Sequence, residues 1–214
     1  YSVTPMDGAM LTRMLHTTLK FDAKIWAEWA YSAGVDERGI SFVLTYPELV
    51  NSERTTPRSL TQFFEQIASI EDLKGNLQLV EALALSSLDE VTVSSFIAFV
   101  NDELTQLIDP EEILDAEDFK SISKKIKDIS VDDSGAKRVD RLSTMCSRLY
   151  LKLTSEDYNP EKNHSENLVQ FLLLDTIPND LLMSLYMDLQ KHGGDEIKEM
   201  TRDKKLASKL LSTL

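Results

Sequence analysis

An apolar period of three and four residues runs through almost the whole chain, and it restricts the fold more than any other feature. From Asp89 to Ile108, Val93, Phe96, Ile97, Val100, Leu104 and Leu107 line one stripe of a single helix. Val91-Thr92-Val93 is locally strand-like, but strands alternate every second residue and the longer period prevails. Seven Gly and six Pro in 214 residues leave little punctuation, so the helices should be joined by short connections. These patterns predict an all-α helical bundle.

Caps and breakers divide the pattern. Asp7 can cap a short helix carrying Ala9, Met10, Arg13 and Met14. Asp22 as N-cap and Gly34 as the residue after the C-cap bound a second helix, with Ile25, Trp26, Trp29 and Ala30 on one face. Asp36 opens a third, stopped by Pro47. Thr56 then reads as an N-cap, with Pro57 at the first helical position, where its missing N–H costs nothing. Further helices are expected over 72–88, with Gly75 a weak point, and over 89–108. Pro110 starts another that continues or restarts to Ile129, and Val131 to Gly135 form a loop. The last helices are placed at about 137–154, 161–176, 178–192 and 195–213.

The formal charge of −13 repels phosphate backbones and anionic lipid, so neither nucleic acid nor membrane is expected as a partner. No apolar run is long enough to span a bilayer. A lone cysteine, Cys146, fits a reducing, cytoplasmic compartment; it sits beside Leu142, Met145 and Leu149 at helical spacing and reads as a small buried hydrophobe. His16, His164 and His192 are scattered, with no second histidine three or four residues away, and no metal site is expected. No glycine-rich turn followed by Lys and Ser or Thr is present, nor a dinucleotide fingerprint. The inventory assembles no active site.

Two arginines stand apart. Arg58 follows Pro57 in the first turn of a helix, where unpaired N–H groups already favour an anion. Arg13 lies in a helix too short to bury both faces. From spacing alone, each also fits a solvated surface residue.

Taken together, the first seventy residues resemble a known family. The stretch Tyr1-Ser2-Val3-Thr4-Pro5-Met6-Asp7-Gly8-Ala9-Met10-Leu11-Thr12-Arg13-Met14-Leu15-His16 resembles the passage after sensor 1 in AAA+ ATPases of the MoxR and phage-type, dynein-related branch. Phe21 to Ala30, then Ile40 to Glu48, resemble the start of that family's helical lid. Thr56-Pro57-Arg58-Ser59-Leu60 resembles its sensor 2 motif. Met6 stands where Leu is commoner, and Leu60 where Trp is.

The resemblance implies a remnant of an ATPase core with an arginine-finger helix over 1–20, a helical lid with sensor 2 over 21–88, and a C-terminal helical bundle over 89–214. It implies that Arg58 contacts the γ-phosphate of ATP in its own subunit, and that Arg13 reaches in trans into a neighbour of a homo-oligomeric ring. An arginine finger accelerates phosphoryl transfer by roughly 10³–10⁵. The whole protein would then use ATP and Mg²⁺, with its phosphate-binding loop upstream of Tyr1, and the present stretch alone would bind neither. A different expectation is a helical protein–protein interaction module with no nucleotide role. Its support is the stripe of Leu168, Phe171 and Leu172, and that of Leu181, Leu182, Leu185 and Leu189.

Overall fold

The computed structural model describes residues 6–52, 54–104, 107–132 and 134–211. Tyr1 to Pro5, which carry part of the family resemblance, lie outside the described residues, as does the end of the last expected helix. The described residues form thirteen α-helices and no sheet, so the chain is all-α. The helices are α1 (Gly8–Leu11), α2 (Ala23–Ser32), α3 (Glu37–Thr45), α4 (Pro57–Ile67), α5 (Leu77–Ser87), α6 (Glu90–Ala98), α7 (Pro110–Leu114), α8 (Phe119–Ile129), α9 (Val139–Thr154), α10 (His164–Leu172), α11 (Asn179–His192), α12 (Asp195–Met200) and α13 (Lys204–Leu211). No helix among them is long and apolar enough to cross a membrane.

Helix starts follow the short-range chemistry of their caps. Asp22, Asp36, Asp89 and Asp118 each accept a backbone N–H of the first turn, satisfying donors that have no partner inside the helix. At α4, Thr56 Oγ1 accepts from the Ser59 N–H at 3.2 Å while Ser59 Oγ accepts from the Thr56 N–H at 2.8 Å. This reciprocal pair is a capping box built with serine. At the end of α2, Gly34 adopts φ 71°, the Val35 N–H reaches Ala30 O at 2.9 Å and the Gly34 N–H reaches Tyr31 O at 3.1 Å. That is a Schellman stop, which requires a left-handed residue where glycine alone is unstrained.

Several helices expected as continuous are divided. Over 72–88 the helix begins only at Leu77, because Asp72 Oδ1 takes the Gly75 N–H at 2.8 Å and closes a turn instead. Over 195–213 Asp203 caps a separate helix, accepting the Lys205 and Leu206 N–H groups at 2.7 and 3.1 Å; over 110–129, where the sequence allowed a helix to continue or restart, Asp118 caps a restart. After α6 a turn of π-helix runs over Phe99–Glu103, with Lys74 Nζ donating to Asn101 O at 2.9 Å. Phe99 is thereby buried, while Ile97, assigned to the core stripe by its spacing, is only half-buried.

The core is one continuous cluster. In its first half, five phenylalanines interlock: Phe96 meets Phe42 and Phe63 edge-on, each at 5.0 Å, and Phe64 and Phe99 close the group. Each ring removed from water stabilises the fold by about 1.5–3 kcal/mol, and the edge-to-face geometry adds to that. The sequence division at 88/89 falls between α5 and α6, which pack together, and Phe96 of α6 completes the core of the helices before it.

Helix α9 is the axis of the rest. It packs against α2, α3, α7 and α11, with ten of its sixteen residues buried. Buried Arg148 ties it to two other helix starts, donating to Asp109 Oδ1 at 2.7 Å and approaching Glu37 Oε2 at 3.4 Å.

Candidate functional site

Helix α4 holds Arg58 rigidly at its base and leaves its head free. Leu60, Phe63, Phe64 and Ile67 bury the inner face completely, and the Thr56–Ser59 box fixes the first turn. Arg58, one position after Pro57, is exposed, and its guanidinium makes no hydrogen bond or ion pair with any described residue. The backbone offers less to an anion than sequence position suggests. Pro57 has no N–H, the Ser59 N–H is taken by Thr56 Oγ1, and the Leu60 N–H is taken by Thr56 O at 3.0 Å. An anion at this helix start would therefore be held mainly by the Arg58 fork.

A carboxylate stands just behind that turn. Asp89 accepts from the Ser52 and Thr55 hydroxyls and, at 2.9 Å, from the Thr92 N–H, and Thr55 Oγ1 lies 3.0 Å from Thr92 Oγ1. Partial burial pushes the Asp89 carboxyl up, but the hydrogen bonds from Ser52, Thr55 and Thr92 outweigh it and hold the group well below the usual carboxylate range. The network sews the start of α6 to the residues that precede α4.

Arg13 lies in the turn after α1, not within it, and α1 is only four residues long. Every residue from Met6 to Lys20 is exposed, including Leu15 and Leu19 at 99% and 92%. Asp7 caps α1 by accepting the Ala9 N–H at 3.1 Å. The Arg13 guanidinium also makes no hydrogen bond or ion pair with a described residue, and no such contact joins it to Arg58. The two arginines thus occupy an exposed N-terminal segment and a core-anchored helix, with no direct link.

Cys146 is buried on α9, and burial pushes its thiol up to about 12, so at neutral pH it is a protonated, unreactive packing group. The histidines fall in three settings. His16 is exposed and contacts Leu11 O at 2.7 Å; His192 meets Tyr150 Oη at 2.7 Å, which also lies 2.9 Å from Glu28 Oε1. His164 is the surprise. Isolated in sequence, it is buried at the start of α10 with both ring nitrogens engaged: Nε2 lies 2.7 Å from Asp115 Oδ1, and Nδ1 lies 2.9 Å from Tyr158 Oη and 3.2 Å from the Glu161 N–H. Asp115 comes from 49 residues away, so spacing alone offered no sign of the pairing.

Compared with families of known proteins, with curated proteins and with solved structures, the chain matches none.

Proposed function

We propose that the chain is the lid-bearing C-terminal portion of an ATP-driven remodelling machine of the AAA+ type. In this reading Arg58 contacts the γ-phosphate of ATP bound to its own subunit, and Arg13 serves a neighbouring subunit of a homo-oligomeric ring. The observation that carries it is the geometry of α4: a helix locked into the core by four buried residues, presenting one exposed, unpaired guanidinium in its first turn. A fork held this way stabilises charge spread over transferring phosphoryl oxygens. The residues here contain no glycine-rich loop with Lys and Ser or Thr, so they would contribute contacts to ATP and Mg²⁺ rather than their cradle.

The test is the product of the native gene. Its intact mass and N-terminal sequence should place a Gly-x-x-x-x-Gly-Lys-Ser/Thr loop upstream of Tyr1, and the purified protein should hydrolyse ATP. Arg13→Ala should then lower turnover by roughly 10³ or more, the lower end of what an arginine finger supplies. Arg58→Ala should abolish hydrolysis as well. A native product without such a loop, or wild-type turnover in both variants, overturns the reading.

A helical interaction module with no nucleotide role is favoured by a different feature. Ile25 and Trp29, one turn apart on α2, are 66% and 53% exposed, an apolar pair suited to a protein partner. A native product that lacks the loop leaves this second reading standing.

A further inference from the structure

The geometry points to a binding site for a divalent transition-metal ion, of the Zn²⁺ class, formed by His164, Asp115 and Glu161. One donor atom from each of the three side chains lies within 4.8 Å of the others, so modest rotations would bring all three around a single ion. The donor set is chemically selective. An imidazole nitrogen with two carboxylates suits Zn²⁺ and its first-row neighbours, whereas Mg²⁺ and Ca²⁺ prefer oxygen alone.

Charge balance favours a cation at this place. Nearby Glu111 and Glu112 are paired with Lys152 and Lys125. Asp115 and Glu161, by contrast, have no lysine or arginine partner among the described residues, and His164 is the only basic group Asp115 meets. Two unneutralised carboxylates beside a buried nitrogen donor, on a chain of net charge −13, form a local sink for positive charge. The cleft they border, which Asp157 and Tyr158 also line, encloses about 220 Å³, enough for an ion and the waters that complete its shell.

The imidazole turns Nε2 toward the Asp115 carboxylate. Nδ1 is covered by Tyr158 Oη and the Glu161 N–H, so Nε2, facing Asp115, is the nitrogen that takes the ion. Without an ion, Nδ1 accepts the Glu161 N–H and Nε2 donates to Asp115; binding at Nε2 moves the ring proton to Nδ1, which gives up the Glu161 N–H and donates to the Tyr158 oxygen. Metal-ligating histidines typically make such an outer contact, which fixes ring and tautomer. The result is a three-ligand site with at least one position open to water.

Isothermal titration of the purified chain with ZnCl₂, against MgCl₂, tests the site. Zn²⁺ should bind once per chain and raise the thermal midpoint; Mg²⁺ should do neither. Asp115→Asn and Glu161→Gln alter exposed carboxylates and leave the fold intact by circular dichroism. Each should weaken Zn²⁺ by about tenfold or more, since losing even an outer-shell partner costs that much. Glu117→Gln, an exposed acid outside the set, should bind like wild type. His164→Gln should abolish binding; because His164 is buried, the two carboxylate variants decide the matter should this one unfold. The proposal fails if Zn²⁺ binds wild type no more tightly than Mg²⁺ does, or binds both carboxylate variants as tightly as wild type.

Discussion

A β-carbon at Gly39 would lie 2.4 Å from the ring of Phe64, so α3 meets α4 at a point where only hydrogen fits. Phe64 is fully buried among Trp26, Phe63 and Phe96 and cannot swing away. Gly39→Ala should therefore destabilise the protein by about 1–3 kcal/mol, the cost of overpacking, despite the better helix propensity of alanine. Urea unfolding measures it. Combining Gly39→Ala with Phe64→Leu should cost less than the two single changes added together, because the smaller side chain yields the space.

Asp89 makes stability depend on acid in a predictable direction. Its folded-state carboxyl is held below the usual range, so the unfolded chain binds its proton more readily. The stabilisation is complete above the unfolded value of about 4 and is lost as pH falls below it toward the folded value. Urea midpoints measured from pH 6 down to pH 2 should fall for wild type. Asp89→Asn keeps a capping side chain but removes the charge; its midpoint should start lower at pH 6 and fall less steeply. Parallel curves would mean that the Ser52–Thr55–Thr92 network draws nothing from the ionised carboxylate.

Arg13→Ala and Arg58→Ala should leave stability unchanged within about 0.5 kcal/mol, as expected for exposed side chains without partners. Thermal unfolding of the two variants checks this. A large loss at Arg58 would assign it a structural part and remove the reason to expect a ligand there.

Cys146 should resist alkylation in the native protein. Its thiol is buried and pushed up to about 12, so at pH 8 almost no thiolate is present or accessible. Iodoacetamide should label it only as fast as the chain opens, with labelling accelerated by sub-denaturing urea; mass spectrometry follows the reaction. Rapid stoichiometric labelling of folded protein would contradict the packing of α9.

The legible parts of this fold are those written within four residues of one another. The aspartates at 22 and 36 mark starts because an N-cap bonds N–H groups two or three positions ahead, and Thr56-Pro57 does the same for α4. Gly34 marks a stop because the left-handed turn it makes is a local need. Periodicity likewise identified the all-α class and most core positions, and the first-turn setting of Arg58 followed from Pro57.

Competing local signals were harder to rank. Asp72 and Asp203 each begin or close something in the middle of an apolar period, and spacing alone favoured the longer helix; at Asp118 spacing left continuation and restart both open. The structure favours the hydrogen bond.

The starts at Asp22, Asp36 and Thr56 and the stop at Gly34 were legible because each depends on backbone geometry over a single turn. Tertiary packing settled that Phe99 rather than Ile97 is fully buried, since the π turn places that ring against Phe42 and Tyr46. It alone decided that His164 would meet Asp115, because a contact between residues 49 apart is made by the path of the chain through α8 and α9, and no spacing rule reaches that far.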